Sequence, residues 1–596
     1  MDSTRQIVIF VLLVVAAIFY ADIIRWIRPL PKTPTEPQTA QRAGGANHGL
    51  TPSPAAPATT GAAGMQASAR AASPGATTMS SPVSSPMSSA SASAAEQAGG
   101  VPEPESLTSA VMSPSPPRTV EVDTDLYEAT FTAKGARLLS FRLKHYRETV
   151  RKDSPLYDVV VQGERLPMGL VVNRDDKIFG DQGVDYITDA PARVEVGPGA
   201  GTTVTFTADT KAGLKLTKRF TFRDGSYLYD IDAEVGGTTT EIRAIGFTTS
   251  QPLTERAPEQ GYRDYPALEA DINGKVLNEY QKELQKGLAP IQGEIAFAGI
   301  GDRYFLTAFI PKAPVKGELR MEYSGGEARA EMLFAGALKV SSAVYMGPKQ
   351  LNLLEAASPN LSKAINFGWF GMLAIVFVRG LQILHKVAPN YGWDIILLTL
   401  AVRLATLPAS IKAQRSALRM QRLAPQVEKI RAKFKDDSTQ LNREMMELYK
   451  RNHVNPLGGC LPTAIQFPIL YGLYEALLNS VELRHAPFIG WIRDLSAPDC
   501  LPIAWMPKVP GIDCHGLPIL VLLMGASTFL QQWMMPKAGD PNQQKMMMWM
   551  PIFFTVLFIA LPAGLSLYYF ASNLLGIIQQ FVLNREFKQY TPVAAA

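Results

Sequence analysis

The 596-residue sequence predicts an α+β membrane protein: six transmembrane helices, a large exported antiparallel β-sandwich and a cytoplasmic helical hairpin. Three observations predict it. From about 119 to 345, apolar residues recur at every second position, the period of a half-buried strand. Beyond 390 the chain holds most of its long apolar runs, and the stretch 546–583 carries no charge at all. Between 412 and 455, eleven Lys or Arg stand against five Asp or Glu, a surplus larger than the net charge of +5 for the whole chain. Short segments with such a surplus stay in the cytoplasm.

The elements follow in order. Residues 7–21 are apolar, with Arg5 before them and Asp22, Arg25 and Arg28 after. The small pair Val15 and Ala17 lies inside the apolar core, so 1–28 reads as an uncleaved anchor with its N-terminus inside; a signal peptide is the alternative. The Pro/Ala/Ser/Gly tract 29–118 lacks hydrophobic periodicity. It cannot bury enough surface to offset ordering entropy and reads as a disordered tether. The sandwich occupies 119–360. Its best signal is Leu214, Leu216, Phe220 and Phe222, then the turn Arg223-Asp224-Gly225-Ser226, then Tyr227, Tyr229, Ile231, Ala233 and Val235.

Residues 361–390 are apolar but interrupted by Arg379 and preceded by Lys363, which suits an amphipathic helix in the outer interface with Trp369 and Arg379 at headgroup level. A crossing there would put the basic segment on the wrong side. The remaining spans are 391–411, 457–480, 516–535, 546–561 and 565–583, the last two separated at Pro562-Ala563-Gly564. These two fall at or below the usual length of about twenty residues, which implies a thinned bilayer or burial against neighbours. Six crossings leave both termini inside. Within 412–455, Leu423, Val427, Ile430 and Phe434, and then Leu441, Met445 and Leu448, follow helical spacing on either side of Asp436-Asp437-Ser438, a helical hairpin.

One residue stands out chemically. Arg403 sits mid-span, where a guanidinium costs about 2.5–3.5 kcal/mol on insertion scales and usually faces a wet cavity. Thr399 and Ser410 share its helix face. Three cysteines and six scattered histidines suggest no metal site, and no phosphate loop, nucleophile elbow or zinc motif occurs. The expectation is neither cofactor nor covalent chemistry.

Several strings resemble the YidC/Oxa/Alb family of membrane protein insertases, in its Gram-negative form. They are Asn455-Pro456-Leu457-Gly458-Gly459-Cys460-Leu461-Pro462, Ser480-Val481-Glu482-Leu483-Arg484, Trp491-Ile492-Arg493-Asp494-Leu495-Ser496, Leu567-Tyr568-Tyr569 with Ser572-Asn573, and Asp302-Arg303-Tyr304-Phe305 in the sandwich. The resemblance implies a periplasmic sandwich on a five-helix core that inserts and folds inner-membrane proteins through a hydrophilic groove. Arg403 matches the groove's arginine, with Thr399, Gln466, Tyr568, Tyr569 and Ser572 along it. The implied partners are nascent membrane proteins, the Sec translocon, the lipid bilayer and the ribosome, the last through 412–455 and without a specific nucleic-acid sequence.

Blander roles compete. Glu475 is the candidate ion-pair partner of Arg403, although its place nearer the outer surface favours snorkelling. Gln466 either lines the groove or makes an interhelical hydrogen bond, and adjacent Tyr568 and Tyr569 cannot both face it. Cys500 and Cys514 share an external loop and are candidate disulfide partners. Two other readings remain: a transporter or channel for an anionic solute, and a sugar-binding or sugar-modifying sandwich.

Overall fold

A computed structural model describes residues 105–110, 118–199, 201–239, 241–253, 266–312, 315–435, 437–452, 461–509, 514–535 and 541–589. The anchor at 1–28 and nearly all of the tether at 29–118 lie outside them. The described part of the tether corrects its boundary. Glu105–Ser106 pairs in parallel with Lys177–Gly180, and Leu107 is buried. An apolar residue in the polar tract has found a sheet edge to cover.

The larger sheet has fourteen strands in two halves that share Ile291–Gly301. The first residues of that strand pair with Lys316–Ser324, and its last pair with Phe305–Pro311 and Ala267–Ile272. A strand that changes partners along its length turns a corner between sheets. A second, five-stranded sheet contains Tyr127–Thr132 and Arg137–Arg147. The alternating segment forms the antiparallel pair Leu214–Arg223 and Leu228–Gly237, with Leu216 opposite Val235 and Phe220 opposite Ile231. Gly225 takes φ +71° in the turn, a conformation that favours glycine. The inward rings meet the other sheet, Phe131 lying 4.7 Å from Phe220.

Within this core sits a charged cluster. Lys218 and Asp181 are both fully buried, with Lys218 Nζ 2.6 Å from Asp181 Oδ2. Lys218 also donates to the carbonyls of Gly135 and Met168, and Arg137 Nη2 lies 2.9 Å from Asp181 Oδ1. Burial pushes the Lys218 ammonium down to about 8 against the pull of Asp181.

Beyond the short helices Gln281–Leu284 and Leu351–Ala357, the helical part of the chain opens with α1, Gly371–His385, preceded by a short 3-10 turn at Leu361–Ala364 and by Gly368 at φ +61°. Ala374, Phe377, Val378 and Leu381 are buried while Met372, Val376 and Ile383 are exposed, giving α1 two distinct faces. Helix α2, Tyr391–Arg422, does not stop at Ile411; good helix formers carry it past the predicted end of the span into the basic segment. The hairpin is therefore α3, Ala424–Lys433, and α4, Ser438–Arg451, packed through Leu423, Val427 and Tyr449. Asp437 caps α4 by accepting from the amides of Thr439 and Gln440. Next come α5, Leu461–Asn479; α6, Ile519–Met534; α7, Pro541–Phe558; and α8, Ala563–Gln589. Among the described residues, α2 alone is long and apolar enough to cross a membrane by length and composition, while α1, α6 and 548–558 are shorter apolar helices.

Sandwich and helices are joined by charge. Arg484 donates to the carbonyls of Arg147 (2.7 Å) and Glu148 (3.1 Å) and lies over the rings of Tyr157 and Phe305. Lys363 bonds Asp271 at 2.7 Å. A cavity of about 230 Å³ beside this seam is lined by Glu269, Arg303, Lys349 and Glu475, among others.

Asp181→Asn is expected to destabilise the sandwich by about 3–5 kcal/mol, because it leaves Lys218 and Arg137 without their buried counter-charge. Denaturant unfolding followed by tyrosine fluorescence reads it; an unchanged midpoint would make the cluster a spectator.

Candidate functional site: a polar seam between helices

The outer faces of α6, α7 and α8 expose large apolar side chains, including Leu522, Phe529, Trp533, Ile552, Phe553, Leu574 and Phe581. Their shared interior holds a polar seam beside its apolar residues: Ser527, Ser566, Ser572, Asn573, Gln579 and Gln580 are all buried. This distribution is the reverse of that in a water-soluble bundle and suits helices solvated by hydrocarbon.

The seam is organised by α8. Tyr568, Ser572, Gly576 and Gln580 recur every fourth residue and so lie along one stripe. Tyr568 is buried and its hydroxyl accepts from Gln466 Nε2 of α5 at 3.0 Å. Ser572 receives Arg403 of α2 twice: Nε donates to its Oγ at 2.9 Å and Nη2 to its carbonyl at 2.7 Å. Seven residues further along both helices, Gln579 donates to Ser410 Oγ at 2.8 Å. Offsets of 169 residues in both pairs mean that α2 and α8 run in parallel and in register. Leu407, Ile411, Val582 and Leu583 complete the contact. On the other flank, Asn573 donates to Ser527 Oγ at 3.0 Å and Thr528 Oγ1 at 2.8 Å, tying α8 to α6.

The other residues picked from the sequence lie differently. Thr399 is fully buried and donates to the Ile395 carbonyl of its own helix at 2.6 Å, so its hydroxyl is turned away from Arg403. Tyr569 is half-buried against Phe558, ring centroids 4.8 Å apart. The Glu475 carboxylate accepts from Asn479 at 3.0 Å, with Tyr471 and Arg303 as further neighbours, at the seam with the sandwich. Asp394, near the outer end of α2, is a residue that helix-face reasoning missed. It is fully buried with Oδ2 2.7 Å from His385 Nδ1, and a carboxylate inside the predicted span 391–411 was the available signal. Among the described residues no cluster of His, Cys, Asp or Glu could hold a metal.

The external loop is built by its acidic residues. Asp499 accepts from Trp491 Nε1 at 2.8 Å and from the amide of Leu520 at 2.5 Å, which caps α6. Asp494 accepts from the amide and hydroxyl of Ser496, and burial raises both carboxyls above the usual range. The start of α8 is held to this loop by Ala563 N to Ala497 O and Gly564 N to Leu495 O. Cys500 and Cys514 are disulfide-bonded, Cα atoms 6.6 Å apart, beside the strand pair Leu501–Pro502 and Gly516–Leu517.

A β-sandwich fastened to helices that bury a polar seam and expose large apolar side chains defines an integral membrane protein with a large domain outside the lipid. The family model described as 60Kd inner membrane protein matches residues 383–590, and that of the YidC periplasmic domain matches 119–379. A membrane protein insertase YidC of Maridesulfovibrio salexigens is 35% identical over 509 residues, covering 82% of this chain and 89% of the relative. One from Nitratidesulfovibrio vulgaris is 36% identical over 507 residues, covering 81% and 90%. A crystal structure of an active YidC insertase with its first transmembrane domain resolved is 19% identical, covers 79% of this chain and 93% of that one, and superposes with a TM-score of 0.33. The chain belongs to the YidC family of membrane protein insertases, inner-membrane proteins with a periplasmic domain.

Replacing Cys500 and Cys514 with serine is expected to cost about 3 kcal/mol of local stability, the value for closing a loop of about fifteen residues. Trypsin cleavage after exposed Lys508 should then accelerate in the folded protein; an unchanged rate would mean that the strand pair alone holds the loop.

Proposed function

We propose that this chain inserts and folds newly made inner-membrane proteins by giving their polar segments a hydrogen-bonding path through the helical core, alone or beside the Sec translocon. Moving an unsatisfied polar group across hydrocarbon costs several kcal/mol. A polar seam that reaches half-way shortens the dry distance, and no covalent bond is made or broken. The observation that carries this reading is the two-point contact of Arg403 with Ser572, on a stripe whose Tyr568 accepts from Gln466 of α5. A client carboxylate competing for the guanidinium would exchange neutral acceptors for a charge-assisted pair, at a depth where charges interact strongly.

The reading includes six crossings with both termini in the cytoplasm, and the sandwich in the periplasm. The short apolar helices then sit in a locally thinned bilayer. The basic stretch from α2 through α4 meets the ribosome by charge, without reading a nucleic-acid sequence. Gln466, Tyr568, Tyr569 and Ser572 contact clients along the groove, with Thr399 supporting the arginine's helix.

Arg403→Ala is expected to reduce insertion of clients with acidic translocated tails by about tenfold or more, the worth of a charge-assisted hydrogen bond, with neutral-tailed clients little changed. Arg403→Lys keeps the charge and should stay within about threefold of the parent; a loss equal to that of Arg403→Ala would mean that the guanidinium's geometry matters more than its charge. Pulse-labelling with protease protection of the tail measures both. Equal loss for acidic and neutral tails would remove the electrostatic role.

A further inference from the structure

The stripe on α8 has a gap at its third position. Tyr568 is met by α5 and Ser572 by α2, but Gly576 has no side chain to offer. A Cβ built there would overlap the side-chain amide of Gln531, which reaches over from α6, and would lie 3.3 Å from Arg403 Nη2. Gln531 and Arg403 therefore come together over the bare backbone of Gly576. Real Cβ atoms essentially never approach a neighbour as closely as this one would approach Gln531, so even a methyl group must displace that amide. The Gln531 amide and Arg403 Nη2, which donates to the Ser572 carbonyl one turn away, are thus the side-chain groups nearest that space.

We propose that Gly576 and Gln531 are positioning residues for the seam's arginine: the glycine leaves the space and the α6 amide fills it, fixing the guanidinium on Ser572. The inference rests on the insertase reading and deepens it, because it names the residues that set where a client's carboxylate would find the charge. Gln531 also brings α6 to the stripe that Arg403 of α2 and Gln466 of α5 already meet. Its amide can both donate and accept, and so serves a passing polar segment of either kind.

The test is a reciprocal pair in the full-length protein in its native membrane. Gly576→Ala is expected to reduce insertion of an acidic-tailed client by about tenfold, the scale of a lost charge-assisted hydrogen bond, while a neutral-tailed client stays within about threefold. Gly576→Ala combined with Gln531→Ala puts the new methyl group in the space the amide had filled and should recover most of the loss, whereas Gln531→Ala alone leaves that space empty and should not match the parent. Protein abundance and protease resistance in the membrane are measured alongside, because a methyl group that merely disturbed helix packing would lower them. Three outcomes overturn the inference: normal insertion by Gly576→Ala, equal loss for both clients, or no recovery in the double variant. Arg403→Ala is the control for the underlying reading. If it too leaves acidic-tailed clients unaffected, the insertase mechanism through Arg403 has failed; if it alone impairs them, only the positioning role has.

Discussion

A guanidinium held among apolar helices is the constraint around which this core is arranged. Its burden of about 2.5–3.5 kcal/mol on insertion scales has to be met by hydrogen bonds from protein. Two of those come from Ser572, through its hydroxyl and its backbone carbonyl. Reaching that carbonyl requires α2 and α8 to pack closely and in one register. Both are parallel, and the second rung, Gln579 on Ser410, repeats the first at the same offset. The apolar contact of Leu407 and Ile411 with Val582 and Leu583 supplies the rest of the interface. Polar groups inside and apolar groups outside follow from the solvent, because lipid offers nothing to a buried hydroxyl or amide.

The outer end of the core is held by other means. Water reaches that surface, and there the chain uses carboxylates and backbone amides. Asp499 caps α6, Asp494 ties Ser496 and the His485 amide, and the loop carbonyls of Leu495 and Ala497 take the first amides of α8. Arg484, from the same region, stacks on Tyr157 and Phe305 and bonds two carbonyls of the sandwich. Much of the string that resembles the insertase family in this loop is thus architectural: it fixes where α6 and α8 begin, and so where Gln531 and Ser572 end up.

The sandwich was legible because its signal is local. A period of two over 214–235 dictates which side chains point inward, and the register that buries them follows, Phe220 opposite Ile231. Arg403 was legible for the opposite reason, as a charge that breaks a local pattern. Helix ends were less so, since hydropathy marks where a chain leaves apolar surroundings and not where its hydrogen bonds stop; α2 runs on to Arg422. Placing Thr399 beside Arg403 from helix spacing was sound geometry, but a threonine in a helix can satisfy its hydroxyl on its own backbone, and this one does. Gln531 and Gly576 escaped because their relation is between helices. A glycine in an apolar helix reads as a packing residue until the neighbour that fills its space is known.

On the proposed reading Arg403 has to change partners, and neutral acceptors are a suitable resting place for such a charge. If Arg403 rested on a buried carboxylate, removing it would leave that charge uncompensated, a penalty of about 3–5 kcal/mol set against every client. Leaving Ser572 exposes only a hydroxyl and a carbonyl, groups whose net hydrogen bonds are worth roughly 0.5–1.5 kcal/mol each when neutral and about 1.5–3 when charged. In the proposed mechanism a client carboxylate would match that, and would be released again when the seat is refilled. Glu475, the acidic side chain that could have held the arginine, instead stands with Asn479, Tyr471 and Arg303 where α5 meets the sandwich. Its carboxylate accepts within its own helix from Asn479, away from Arg403, so the arginine's field in the seam is not spent on it.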